Sequence, residues 1–291
     1  MHPGQVDITP ATAHALATAQ FPQWRDLPIT PVRSGGTVNA LYRLGDDTVL
    51  RFPLEPVTDP AGLLAEQDHA RLIQPHVPVQ VPEPLALGEP GPGYAGYWTA
   101  YRWIPGHPPD DPSGGGVAPD DLAAFVTALH GIDTGGRVWP GNGRGGPLHD
   151  HDDWVQHSLA RSAHLTDTRR LAEIWDATPD HHGPDVWIHA DLMPGNLLVR
   201  DGRLAAVIDL GAVTIGDPAV DYMPAWNLFD PGRAHGYRHA LDASDEAWQR
   251  GRGWALLQAI GSLWYYEHTN PAMHTTAART LDAILKITTM S

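Results

Sequence analysis

The stretch from Val186 to Asp221 constrains this chain most. It reads Val-Trp-Ile-His-Ala-Asp-Leu-Met-Pro-Gly-Asn-Leu-Leu-Val, a short turn, then Ala-Val-Ile-Asp-Leu-Gly and Gly-Asp-Pro-Ala-Val-Asp. Val186 to Ile188 is a short apolar run of the kind that forms a buried strand. It delivers His189 and Asp191 into a loop, because Pro194 and Gly195 oppose a helix. Asn196 follows, then a second apolar run from Leu197 to Val199. Asp201-Gly202 separates that run from Leu204 to Ile208, and Asp-Gly between apolar runs is a strong hairpin signal. The hairpin turns the chain back, so Asp209, at the end of its second strand, is expected near Asn196 at the start of its first. Asp191, Asn196 and Asp209 would then converge at one end of a small apolar unit.

Such a set suits phosphoryl transfer. One carboxylate orients a hydroxyl and accepts its proton, while an amide oxygen and a second carboxylate hold magnesium against phosphates. The spacing His-x-Asp-x-x-x-x-Asn, followed by Asp-Leu-Gly, is that of a kinase catalytic loop and metal-binding Asp. On His189-Ala190-Asp191, Pro194-Gly195-Asn196, Ile208-Asp209 and Gly216-Asp217-Pro218 the sequence resembles the aminoglycoside phosphotransferase family. These are antibiotic kinases with a protein-kinase-like fold. The resemblance implies an α+β, two-lobed protein: a mostly antiparallel sheet lobe over residues 1–101, and a mainly helical lobe over residues 102–291 carrying the catalytic loop and acceptor site. It also implies ATP or GTP as phosphoryl donor with Mg2+. Asp191 would be the base, Asn196 and Asp209 the metal ligands, and His189 a loop-shaping residue. Asp217, as the first Asp of its motif, would support the catalytic loop by hydrogen bonds, and Asp217-Pro218 reads as an N-cap and first helical residue.

Composition bounds the partners. The chain has 291 residues and can bury a large core. Its formal charge is -15, from 34 acidic and 19 basic residues, which makes it a poor general binder of nucleic acid. No apolar run approaches the roughly 18 residues of a membrane span, and the N-terminus shows no secretory pattern. Cys is absent, so disulfides, thiolate metal sites and a Cys nucleophile are excluded. A cytoplasmic protein, monomeric by default and without membrane or nucleic-acid partners, is the expectation.

Upstream, Thr9-Pro10 reads as a cap and first helical position. Ser34-Gly35-Gly36-Thr37-Val38-Asn39 is a glycine-rich turn before two strands, Leu41 to Leu44 and Thr48 to Phe52. Its backbone N–H groups suit nucleotide phosphates, and its form resembles the family's loop. Arg51 stands on the second strand where kinases place a phosphate-gripping Lys. A guanidinium can grip phosphate and carboxylate but is not interchangeable with an ammonium. The macrolide kinase branch carries a similar Val-Leu-Arg-x-Pro. Glu66, on the helix after Thr58-Asp59-Pro60, is the expected partner of Arg51. Tyr101 and Trp103 flank the crossing where kinase-like folds bind adenine through backbone; they also suit a core.

Downstream, Pro119 to His130 reads as an amphipathic helix, and His149 to Asp153 as a polar loop suited to helix capping or substrate contact ahead of a weak metal pattern. Ser244-Asp245-Glu246 and Asn270-Pro271 open two more helices. Four of the 11 Trp lie between Trp226 and Trp264. With Tyr265 and Tyr266 they would wall an acceptor pocket or pack a core. The acceptor implied by the family is a hydroxyl-bearing antibiotic. The negative charge favours a cationic aminoglycoside, with Glu267 a candidate contact; a macrolide or small metabolite is the alternative. A metal-dependent hydrolase built on His189, Asp191 and Asp209, and a nucleotide-binding pseudokinase, are the readings from other classes.

Overall fold

The computed structural model describes residues 5–32, 38–109 and 116–287. The glycine-rich turn residues Ser34, Gly35, Gly36 and Thr37 therefore lie outside the described residues. Two compact units account for the chain. The first comprises Met1–Pro75, Gln80–Gly106 and Ala206–Gly211; the second comprises His76–Val79, His107–Ala205 and Ala212–Ser291.

In the first unit, Thr9 caps α1 (Pro10–Gln20), its hydroxyl accepting the Thr12 N–H at 3.1 Å. Five strands follow: β1 (Ile29–Pro31), β2 (Asn39–Leu44), β3 (Thr48–Pro53), β4 (Pro84–Gly88) and β5 (Trp98–Arg102). They form one antiparallel sheet in the order β1-β2-β3-β5-β4. α2 (Ala61–Ile73) joins β3 to β4 and starts where the Asp59 carboxylate accepts the Ala61 N–H at 3.0 Å. One face of the sheet closes on α1: Leu44, Leu50, Phe52, Trp98 and Ala100 are buried with Ala13, Leu16 and Ala17. The Phe52 and Trp98 rings stack with centroids 5.1 Å apart. That stack requires Gly88, since a Cβ there would fall 1.9 Å from the Trp98 ring. Leu50 and Phe52 face this core, so the two-residue period of β3 turns Arg51 to the opposite face.

The second unit is mainly helical. Its elements are α3 (Pro119–His130), α4 (Asp152–Arg161), α5 (Thr168–Asp176), β6 (Val186–Ile188), β7 (Leu197–Arg200), β8 (Arg203–Val207, whose last two residues belong to the first unit), β9 (Thr214–Gly216), α6 (Pro224–Asn227), α7 (Pro231–Ala240), α8 (Asp245–Tyr265) and α9 (Pro271–Ile287). β7 and β8 form the expected hairpin, and β6 pairs antiparallel with β9. α8 is the axis of the unit. The Ser244 hydroxyl accepts the Ala247 N–H at 3.2 Å, and Asp245 and Glu246 complement the dipole in its first turn. From Arg250 to Leu263 most of its residues are buried, against α9, α4 and the 3-10 turn Pro218–Tyr222.

Two local expectations are corrected. His149 to Asp153 is not a loop: a 3-10 turn (Leu148–His151) leads directly into α4. Leu148, Val155 and Leu159 bury one side of this segment, at a helical spacing masked by the polar run. His149 and the Trp175 indole both bond Asp152 Oδ1, at 3.0 and 2.8 Å. Asp217-Pro218 opens a 3-10 turn and not an α-helix. Among the described residues no helix is long and apolar enough to cross a membrane.

Candidate active site

In the second unit, β6 ends at Ile188 and the chain turns at Ala190, whose φ is 65°. A non-glycine residue is rarely stable in that left-handed region. It is held there by Asp221, which is fully buried. Its Oδ2 accepts the His189 N–H and its Oδ1 the Ala190 N–H, each at 2.9 Å. The His130 ring lies 3.1 Å from Oδ2, and the Tyr237 hydroxyl donates to the Asp221 carbonyl at 2.9 Å. The support expected from Asp217 thus comes from Asp221. Asp217 spends its oxygens elsewhere: on the Ala219 N–H of its own turn (3.0 Å), on Arg250 (3.0 Å) and on the Trp254 indole (3.2 Å). It ties α8 to the turn.

The loop so anchored presents Asp191, whose side chain is 28% exposed. Its N–H donates to Nδ1 of buried His189 at 3.3 Å. Its Oδ1 accepts from Arg144 Nη1 at 2.7 Å and from Gln258 Nε2 of α8 at 2.8 Å. Its Oδ2 accepts from Asn196 Nδ2 at 3.1 Å, and the same amide nitrogen reaches the Asp191 carbonyl at 2.9 Å. The Asn196 nitrogen being committed, its oxygen is the atom left for a cation.

Arg144 comes from the irregular segment before α4. It is delivered by a close backbone approach: the Asp217 N–H donates to the Gly145 carbonyl at 2.8 Å. Gly145 takes φ 102°, and a Cβ on Gly216 would fall 2.5 Å from the Gly145 oxygen. Only two glycines allow these strands of backbone to touch.

In the first unit, Arg51 donates to Glu66 of α2 and, at 3.1 Å, to Asp209 Oδ1. Asn39, with its amide oxygen turned to the guanidinium, accepts from Nε at 3.0 Å and Nη2 at 3.2 Å. Burial would lower the Arg51 pKa, but Glu66 and Asp209 outweigh it and hold the group above its ordinary value. Asp209 is in the left-handed region at φ 63°, and its segment is fastened where the Val207 N–H meets the Gln80 carbonyl at 3.0 Å. Tyr101 is buried; burial first, then the Glu66 charge, raises its hydroxyl pKa. Trp103 donates its N–H to the Asp47 carbonyl at 2.7 Å, and the Arg43 guanidinium lies 4.8 Å over its ring. Both side chains are packed within the first unit. Glu267 lies more than two turns beyond Gln258 and pairs with His164 at 3.2 Å; that hydrogen bond holds its carboxyl below the ordinary range.

Among the described residues no group of three His, Cys, Asp or Glu is gathered into a ready cation cage. Asp209 in the first unit and Asn196 in the second each carry oxygen donors, the type a hard ion such as magnesium takes. Arg144, Gln258 and Asp221 are site residues that pattern reading passes over. Arg144 sits in a glycine-rich stretch without periodicity, and Gln258 sits inside an otherwise apolar helix. Asp221 was marked only by its place in Gly-Asp-Pro-Ala-Val-Asp.

The model of the phosphotransferase enzyme family matches residues 29–254. No curated protein matches by sequence. Several solved structures share the fold. The GDP complex of aminoglycoside 2'-phosphotransferase-IIIa is 16% identical, with a TM-score of 0.72 over 96% of this chain and 100% of that one. Macrolide 2'-phosphotransferase MphH from Brachybacterium faecium is 22% identical, with a TM-score of 0.59 over 94% and 98%. Aminoglycoside phosphotransferase APH(2'')-Ib with bound ADP is 14% identical, with a TM-score of 0.60 over 95% and 97%. At these identities the likeness establishes an antiparallel sheet in the N-terminal part and a helical C-terminal part of the kinase-like kind.

Proposed function

The chain belongs to the phosphotransferase enzyme family and is a small-molecule phosphotransferase, and from that premise we propose that it moves the γ-phosphoryl group of ATP or GTP to a hydroxyl of an antibiotic-like molecule. The observation that carries the proposal is Asp191. It is a partly exposed carboxylate at the end of a buried strand, held by Arg144, Gln258 and Asn196 in one orientation. A base so fixed can align an acceptor hydroxyl and take its proton. His189 shapes the loop through the Asp191 N–H. Arg51 grips the donor phosphates, and Glu66 and Asn39 set its direction. The sequence assigns phosphate contact to Ser34, Gly35, Gly36 and Thr37, and the backbone near Tyr101 and Trp103 takes the base. Asn196 and Asp209 hold magnesium. When bound, the ion neutralises charge on the phosphate oxygens. Solved relatives with GDP and with ADP support a nucleotide donor.

An aminoglycoside-type acceptor is the first reading, supported by the aminoglycoside enzymes among the solved structures and by the formal charge of -15. A specific observation favours a less charged acceptor, such as a macrolide. The nearest charge to Asp191 is the cation of Arg144. Trp154, 46% exposed, lies on Gly261, one turn along α8 from Gln258, and Trp264 packs beside it. Nucleotide consumption against a panel of aminoglycosides, macrolides and metabolites tests the reading. A cationic acceptor's KM should rise with salt, by screening, and rise again in Glu267→Gln. Nucleotide binding without turnover on any hydroxyl compound would indicate a pseudokinase, and acceptor hydrolysis without nucleotide a hydrolase.

A further inference from the structure

Asp191 carries more hydrogen bonds than a base needs for orientation alone. A carboxylate has about four lone-pair sites. Two on Oδ1 are taken by Arg144 at 2.7 Å and Gln258 at 2.8 Å, and one on Oδ2 by Asn196 at 3.1 Å. One site is left, on Oδ2. Arg144 is the one charged donor of the three, and its Nη1 also donates to the Ala190 carbonyl at 2.7 Å, much as the Asn196 nitrogen also reaches the Asp191 carbonyl at 2.9 Å. Arg144 bridges the carboxylate to the backbone of the residue in left-handed conformation, so rotation of the Asp191 side chain would give up its bond to a guanidinium that the Ala190 carbonyl holds in place. Its own side chain is 32% exposed, so the position is open to solvent.

We propose that Arg144 is a positioning residue for phosphoryl transfer, clamping Asp191 Oδ1 to the Ala190 carbonyl so that Oδ2 is the oxygen that receives the acceptor's proton. The inference rests on Asp191 acting as the base. In the step so arranged, the acceptor hydroxyl gives its proton to Oδ2. Its oxygen forms a bond to the γ-phosphorus, the bond from that phosphorus to the β–γ bridging oxygen breaks, and the electron pair leaves with the nucleoside diphosphate. Gln258 and Asn196 complete the clamp, but each is a neutral donor, whereas Arg144 brings a full positive charge to the carboxylate.

Arg144→Ala should lower kcat by about 10- to 100-fold, the scale of a misplaced reacting group, and leave the nucleotide Kd unchanged. Arg144→Lys should fall between, since one ammonium is a compact point charge without the guanidinium's fork. Because the position is open to solvent, millimolar guanidinium ion should restore part of the Arg144→Ala rate, a readout that a purely structural role would not move. In an Asp191→Asn background Arg144→Ala should cost little more, because it acts through Asp191. Equal cost in both backgrounds, or a normal kcat in folded Arg144→Ala, overturns the inference. If Asp191→Asn itself keeps full rate, the assignment of the base fails; if Asp191→Asn is inactive while Arg144→Ala is normal, only the positioning role fails. Should Arg144→Ala not fold, Arg144→Lys and Arg144→Gln, compared by kcat at matched folded fraction, decide the same question.

Discussion

Asp221 accepts the Ala190 N–H at 2.9 Å while Ala190 holds a φ of 65°. A buried carboxylate is thus what keeps the turn before Asp191 in a conformation an alanine would otherwise leave. Asp221→Ala leaves two buried N–H groups, those of His189 and Ala190, without acceptors. Each unsatisfied buried donor costs about 1–3 kcal/mol, so a loss of roughly 2–6 kcal/mol is expected in chemical denaturation, with activity falling in the fraction that stays folded. A loss below about 0.5 kcal/mol, the size of an ordinary surface substitution, would show that the turn stands without it.

Arg51 serves Glu66, Asp209 and Asn39 together. Arg51→Lys should keep part of the activity, because an ammonium can pair with a carboxylate but cannot fork to all three. Arg51→Ala removes the cation beside Glu66, which is 5% exposed. Removing one partner of a buried pair costs about 3–5 kcal/mol, so both stability and nucleotide affinity should drop. Calorimetric titration with nucleotide checks this, and full affinity in Arg51→Ala would make the residue purely structural.

Asp209→Ala should abolish magnesium-dependent nucleotide binding, and Asn196→Ala should raise the magnesium concentration needed for half-maximal rate. Asn196→Asp should keep the metal yet disturb Asp191, because it replaces the amide donor that now reaches Oδ2. Unchanged magnesium titrations in both alanine variants would remove these residues from the metal site.

His149 supplies a pH dependence. Burial lowers its pKa, but the Thr178 carbonyl and Asp152 raise it further, and the net is above the ordinary value. A raised pKa means the folded state binds the proton more tightly. The stabilisation is therefore complete below about pH 6.5, the unperturbed value, and is lost as pH rises through the folded pKa. The stability difference between the wild type and His149→Gln should be larger at acid than at alkaline pH. The opposite trend in melting temperature would show that the pair with Asp152 is not ionic.

Much of the fold was legible because its signals are local. Thr9 and Ser244 announce helices that start where the structure starts them, and the Pro119–His130 pattern gives both limits of its helix. Asp201-Gly202 announces the β7–β8 hairpin. What failed was non-local. Asp217 and Asp221 are both acidic, both in one motif, and both buried. Only the direction of a 3-10 turn decides which meets the Ala190 N–H and which meets Arg250. Arg144 was invisible for a similar reason. It lies 47 residues from Asp191 and reaches it through the contact of Gly145 with Gly216. No periodicity in the chain encodes that contact. The acceptor pocket was legible only in outline, since aromatic residues on α8 read equally as core, and Trp254 is fully buried.

The most direct test of the account is phosphoryl transfer by Asp191→Asn beside the wild type, with nucleotide affinity measured on the same preparations. Labelled γ-phosphate should appear on a hydroxyl compound with the wild type. The variant should lose about 10²–10⁴-fold in turnover, the usual contribution of a general base, and bind nucleotide as before. Turnover at the wild-type rate in Asp191→Asn, or parallel loss of nucleotide binding, would contradict the role assigned to this carboxylate.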